Sequence, residues 1–427
     1  MHTLREGQLA GIAGALAAPD RAVRLACLIE DVMIQPSAQE LPSRRLSALP
    51  WLARLDRVGG VADLRAALRR CNAAVDPAAL HRVIIVGAAG EGQRLAVLCR
   101  DRGIAVTAII DDDPAKAGLI VAGIKVSSSA ALETLDRDIP VVIASHRVLR
   151  ASERLKQLGY RAFAPFAVLQ VLDPTAFPPH MFYDGWLEDL WQNRDRYARF
   201  DKLLADDMSR QVLDAVLGFR QTLDPFLLEP VIEWELYGPA GLLQYGDDEV
   251  YVDGGSFDGD TIRLFINRVA GRFSRVIAFE PDPRTFARLK ANFATEQRIE
   301  PINAGLYRQK ARLRFTDDAS RGALITADGT HEIEAVSLDE VLGGNRVSYI
   351  KMNIEGAEID ALHGARHAIR RWAPKLAISA YHRPTDLWQI ADVVREIRSD
   401  YRLYLRQHDG GVIETVLYAL PAENGGQ

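Results

Sequence analysis

The chain has 427 residues, a formal net charge of −5, and 48% hydrophobic and 26% charged residues. At roughly 100–200 residues per domain this length allows two or three domains, with cores large enough to do without disulfide or metal staples. Mild acidity speaks against a dedicated nucleic-acid binder, which carries a basic surplus, and the three cysteines, Cys27, Cys71 and Cys99, form no CxxC pair that would suggest zinc or a disulfide framework.

Arg5 and Glu6 precede a short Ala/Gly-rich run that Asp20 and Arg21 close, which is not the pattern of a secretory signal. No apolar stretch approaches the ~18 residues that a membrane span needs. The expectation is a cytoplasmic chain with no integral membrane segment.

Residues 1–79 read as a helical segment. Pro36, Pro42 and Pro50 break it, and Leu64 and Leu68 form one stripe with Asp63 in its first turn. The pattern changes at His81. Arg82 to Val86 is a short apolar run ending at Gly87, as in a buried parallel strand. A glycine loop with Gly87, Gly90 and Gly92 follows, then a helical stripe through Leu95, Leu98 and Cys99. Ala105 to Ile110 is a second strand, ending in Asp111-Asp112-Asp113-Pro114, and Pro140 to Ser145 is a third. Alternation of strand and helix predicts a Rossmann-like unit over 80–176.

Residues 177–246 read as a helical linker or cap, rich in aromatics: Trp186, Trp191, Tyr197, Phe200, Phe219 and Trp234. Their spacing fits core packing better than a ligand box. A second α/β unit spans 247–427. Strands are expected at Val250–Asp253, Val276–Glu280, Ile299–Gly305, Ala311–Thr316, Val347–Asn353 and Leu376–Ala380. Helices are expected from about Asp260, Pro283, Ala357 and Thr385, and Tyr401–Gln407 and Glu414–Tyr418 should close an antiparallel edge. The fold class is therefore α/β, with two Rossmann-like units joined by helical segments.

The strongest local pattern is the strand ending in Asp253, then Gly254, Gly255, Ser256 and Gly259 before a helix. Glycines let backbone approach a ligand closely, and open α/β sheets bind ligands beyond the carboxyl ends of their strands. Acids at Asp253 and Asp258 would repel dinucleotide phosphates and suit a cationic or zwitterionic ligand. S-adenosylmethionine has an ammonium, a sulfonium and no phosphate. Glu280, followed by Pro281, ends the next strand, where an acid accepts hydrogen bonds from ribose hydroxyls. Asp282 and Pro283 suit the N-cap and first position of the following helix. In Tyr349 to Glu358, either Glu355 or Glu358 is a catalytic carboxylate or a partner of a helix dipole. His382 follows a strand at the same edge and is a base or a packing residue.

These motifs in order, DGGSFDGD, AFEPDP, VSLDEVL, IKMNIEGAE and SAYHRP, resemble the FkbM-type methyltransferase family over about Gln244 to Tyr418. The resemblance implies a class I methyltransferase-type sheet and dependence on S-adenosylmethionine. It also implies methylation, mostly at oxygen, of sugars, polyketides or other natural products, as in carbohydrate biosynthesis. By resemblance, Asp253, Gly255 and Gly259 form the cofactor loop and Glu280 binds the ribose. Family members commonly carry aspartate where this chain has Asn353. An amide is neither a carboxylate base nor a strong hard-metal ligand, so a divalent metal is left open. His382 becomes the first candidate for the general base and Glu355 the second. The loop Gly87 to Gly92, with Asp111 and Gly123-Ile124-Lys125-Val126, resembles the N-terminal nucleotide-sugar-binding domain of PglD/NeuD-type sugar acetyltransferases. That resemblance implies a sugar, nucleotide-sugar or glycan partner; a ligand-free scaffold or dimerisation unit is the other reading, and a homo-oligomer stays open. Two rival functions remain at this point: a non-catalytic protein that keeps a nucleotide or cofactor fold, and a nucleotide-dependent sugar oxidoreductase or epimerase.

Overall fold

A computed structural model of the chain describes residues 50–315 and 331–422. The helices expected before Pro50 lie outside the described residues. The stripe through Leu64 and Leu68 forms the helix Val61–Cys71, which buries both leucines.

The first sheet contains β1 (Arg82–Val86), β2 (Ala105–Ile110), β3 (Ile120–Val121), β4 (Ile124–Ser127), β5 (Val141–Ile143) and β6 (Phe163–Pro165) in the order β3-β4-β2-β1-β5-β6. All pairings are parallel except the β3–β4 hairpin. Val83, Ile84 and Ile85 have no exposed surface, as continuous apolar runs require when helices cover both faces. The helix Gly90–Asp101 covers them with Leu95, Ala96 and Cys99.

The linker folds into the helices Trp186–Gln192, Arg194–Leu203 and Asp207–Thr222. Trp186, Tyr197, Phe200 and Phe219 are core residues, whereas Trp234 is 67% exposed. One buried polar group in this layer matters for the site. Asp189 accepts from Tyr197 Oη and, at 3.2 Å, from Trp388 Nε1. Arg220 Nη1 donates to the Pro384 carbonyl at 2.6 Å and to Tyr197 Oη at 2.9 Å. The linker therefore holds a loop of the next sheet by its backbone.

The second sheet is built from β7 (Val250–Gly254), β8 (Arg275–Phe279), β9 (Ile299–Ile302), β13 (Tyr349–Met352), β14 (Lys375–Ser379), β15 (Tyr401–Gln407) and β16 (Thr415–Pro421). Their order is β15-β16-β14-β13-β7-β8-β9. The five strands from β14 to β9 run parallel, and β16 pairs antiparallel with both β14 and β15. The order reverses between β7 and β13, so the loops after these strands flank the crevice where open α/β sheets bind ligands.

Two expectations change. Ile299–Gly305 is not one strand: β9 stops at Ile302, and β10 (Gly305–Leu306) joins a separate sheet with β11 (Ala311–Phe315) and β12 (His331–Val336). Asn303 turns the chain there by donating to the carbonyls of Glu280 and Pro281. β12 was not anticipated, although Ile333 and Ala335 are buried between the exposed Glu332 and Glu334 in strand alternation.

Candidate active site

The loop after β7 is held from beneath. Asp253 has no exposed surface; its Oδ1 accepts from Lys351 Nζ at 2.9 Å and its Oδ2 from Thr261 Oγ1 at 2.5 Å. Lys351 is 1% exposed and also donates to the carbonyls of Gly254 and Gly255. The charge expected to attract a cationic ligand is thus met inside the protein, and Asp253 acts on the loop rather than presenting a free carboxylate. Ser256, likewise buried, bonds back to the Asp253 carbonyl at 2.8 Å.

The glycines answer first to packing. Gly255 has φ +74°, and a Cβ on it would stand 1.9 Å from the Asn353 carbonyl oxygen. At Gly259, with φ +88°, a Cβ would stand 2.1 Å from the Phe293 ring. Gly254 approaches Leu306 in the same way.

Glu280 ties two loops together. One carboxylate oxygen accepts from the Phe257 amide and the other from the Asp282 amide, both at 2.9 Å. Burial pushes its carboxyl up to about 7, against the pull of those two amides. Pro281 is half-buried, and Asp282 caps the next helix by accepting from the Thr285 amide. A carboxylate offers roughly four acceptor sites, so Glu280 retains capacity to accept from two ribose hydroxyls, which fits S-adenosylmethionine.

The loops after β13 and β14 carry the remaining candidates. Asn353 Oδ1 accepts from Tyr381 Oη at 3.3 Å. Glu355 adopts φ +55°, a left-handed conformation unusual for a non-glycine residue, and its side chain is 25% exposed. Its Oε2 lies 3.7 Å from His382 Nε2, while Glu358 Oε1 lies 3.0 Å from His382 Nδ1. His382 has no exposed surface. Burial alone would push its pKa down; the carboxylates of Glu358 and Glu355 outweigh this and hold it at about 9. The expected first-choice base is therefore an enclosed, protonated ring at neutral pH, and Glu355 is the carboxylate that reaches the edge. Asp386, 2% exposed, accepts from the Arg383 amide at 2.7 Å; burial, with Glu358 adding to it, raises its carboxyl to about 7. Lys351 and Asp386 were not among the expected residues, although a lysine inside an otherwise apolar strand was the visible sign of the first.

In the N-terminal unit, Asp111 accepts from the Ala88 amide at 2.7 Å and from Lys116 Nζ at 3.0 Å. Gly90 is exposed, with open space where a Cβ would go, whereas a Cβ on Gly92 would meet the Gly87 carbonyl at 1.9 Å. Beyond β5, the half-buried His146 packs edge-on against Phe182 and Phe166 and tilted against His180, with ring centroids 4.9–5.2 Å apart. Phe182 also lies 5.8 Å from His382. One ring thus touches the carboxyl edges of both sheets.

A family model, that of the methyltransferase FkbM domain, matches residues 253–409, a span that takes in the loop after β7 and the acid after β8. Residues 253–409 form an FkbM methyltransferase domain. The crystal structure of methyltransferase FkbM from Methylobacillus flagellatus KT is 29% identical, covering 86% of this chain and 98% of that chain with a TM-score of 0.65. That overlap is longer than the FkbM domain, so it takes in N-terminal elements as well. Aeropyrum pernix fibrillarin in complex with S-adenosyl-L-methionine is 12% identical over 42% of this chain and 70% of that chain, at a TM-score of 0.29. An rRNA methylase from Streptococcus thermophilus is 15% identical over 41% and 87%, at 0.28. No curated protein sequence matches. The chain is an S-adenosylmethionine-dependent methyltransferase. No helix among the described residues is long and apolar enough to cross a membrane.

Proposed function

We propose that this enzyme methylates a hydroxyl oxygen of a sugar, nucleotide-sugar or glycan precursor. The observation that carries the reading is Glu355, a partly exposed carboxylate held in a left-handed conformation beside the FkbM loop after β7. Backbone strain of this kind persists where surrounding structure holds it, and it concentrates at functional sites.

S-adenosylmethionine, when bound, supplies an electrophilic methyl group on a sulfonium. Glu280 would accept hydrogen bonds from its ribose hydroxyls, and the backbone from Gly254 to Ser256 would wall the crevice. Glu355 accepts the acceptor's hydroxyl proton as the new oxygen–carbon bond forms and the sulfur–carbon bond breaks. General-base assistance of this kind contributes about 100- to 10,000-fold, and alignment of the two reactants supplies much of the rest. His382, directly behind Glu355, fixes the carboxylate without touching the acceptor. The N-terminal α/β unit, whose glycine loop and Asp111 resemble a nucleotide-sugar-binding domain, supports the choice of acceptor class.

The test incubates the full chain with labelled methyl donor and a pool of nucleotide sugars, followed by mass spectrometry. A methyl-shifted nucleotide sugar is the expected result. Tight binding of S-adenosylhomocysteine with no transfer to any hydroxyl acceptor would favour a cofactor-binding protein without this activity.

A further inference from the structure

Behind Glu355, the side chains of Glu358, His382 and Asp386 come together from the helix Glu358–Gly364, the loop after β14 and the helix Asp386–Ile397. One donor atom from each lies within 4.8 Å of the others. All three residues are buried, at 1%, 0% and 2% exposure.

The hydrogen bonding inside this group is incomplete. Among the described residues, Glu358 Oε2 and both ring nitrogens of His382 lack a hydrogen-bond partner. His382 Nδ1 approaches Glu358 Oε1 to 3.0 Å as an ion pair, which leaves Nε2 and Glu358 Oε2 unmet. Each buried group left unmet keeps the full cost of losing its hydration, so a native protein has reason to supply a partner. Charge counting points the same way. Two acidic side chains and an imidazole share a site without water-exposed surface, and Glu355 Oε2 lies 3.7 Å from His382 Nε2. Buried charge without compensation is costly. A divalent cation with a neutral imidazole and two carboxylates sums to zero.

We propose that Glu358, His382 and Asp386 bind a divalent first-row transition cation that clasps the loop after β13 to the loop after β14. Imidazole with carboxylate donors and no thiolate suits manganese, iron, cobalt or zinc, and is a poor match for calcium, which takes oxygen donors only. Metal–ligand distances of about 2.0–2.2 Å require the three donors to close in by roughly half an ångström each. Since no ligand has exposed surface, the cation is structural: it sets the position of Glu355 and does not meet the acceptor. The proposal stands independently of the acceptor class.

The experiment uses the untagged full-length chain, stripped with a chelator and titrated with cobalt(II). One equivalent should bind with visible d–d absorption of a non-octahedral site, and manganese or zinc should raise the melting temperature reversibly with chelator. Asp386→Asn should weaken cobalt binding at least about tenfold. Should that variant fail to fold, X-ray absorption of cobalt-loaded wild type decides: one imidazole among oxygen donors is expected. Wild-type protein that leaves cobalt in its aqueous spectrum, an Asp386→Asn variant that titrates like wild type, or a shell with no imidazole would overturn the assignment.

Discussion

Lys351 Nζ stands 2.9 Å from Asp253 Oδ1, on adjacent strands, with both side chains sealed from solvent. The pair sits under the FkbM loop and replaces the ligand charge that the acidic loop alone would suggest. Removing one partner of a buried pair costs more than removing both, because the survivor keeps its desolvation penalty. Lys351→Met should destabilise the fold by ~3–5 kcal/mol, read by denaturant unfolding. Adding Asp253→Asn should recover part of that loss. Additive effects of the two substitutions would show that the contact carries no coupling.

Glu280 connects cofactor affinity to pH. Its carboxyl is raised to about 7 by burial, so it favours the protonated form in the folded state. The stability it contributes is present below the ordinary carboxylate range and is lost as pH rises through about 7. Ribose hydroxyls donate better to the charged form, so affinity for S-adenosylhomocysteine should move the opposite way and tighten between about pH 6 and 8. Glu280→Gln should flatten that dependence and weaken binding by ~1–3 kcal/mol, both measured by calorimetry. A wild-type affinity constant across this range would remove the coupling.

Glu355 and His382 should separate kinetically. Glu355→Gln should lower kcat by roughly 100-fold or more while affinity for S-adenosylhomocysteine and the melting temperature hold. His382→Ala opens a void between Glu358 and Phe182 and strands two carboxylates, so its main effect should be on stability. Losses in kcat should shrink for acceptors with more acidic hydroxyls in Glu355→Gln only. Near-normal turnover in that variant would exclude Glu355 as the base.

Gly90→Val tests the N-terminal unit without disturbing its core, because no atom lies within 4 Å of the added Cβ. The variant should keep wild-type melting behaviour. If the loop after β1 holds a nucleotide-sugar, titrations of the full chain with UDP-sugars should show binding in wild type and none in the variant. Identical behaviour of the two proteins would leave this unit as a scaffold.

β1, β2, β7 and β8 were readable because each is an apolar run that ends in glycine or acid, and β2 and β15 match their expected limits, whereas β3, β4 and β6 were not anticipated. β12 escaped because its alternation of Glu332, Ile333, Glu334 and Ala335 directly precedes a helical motif, with no glycine or proline to mark it as separate. At the site, the order of loops was legible and the environments were not. Lys351 stands out in an otherwise apolar strand, but its partner Asp253 lies 98 positions away. His382 packs against Phe182, a residue of the linker that no local pattern connects to it. The glycine loop carried a double meaning: at Gly255 the same absence of a Cβ that would admit a ligand is already used by the Asn353 carbonyl.

The hold of Arg220 on the Pro384 carbonyl has a consequence for modularity. The linker also runs along the outer edge of the second sheet, where Ala205 and Glu233 donate to the carbonyls of Leu403 and Gln407 on β15. A fragment beginning at residue 247 would bare that strand edge, an invitation to self-association, and would release the loop that carries His382. The catalytic domain recognisable in the sequence is therefore shorter than the smallest piece that can be excised and still work. Grafting it onto another acceptor-binding unit would have to carry the linker helices along.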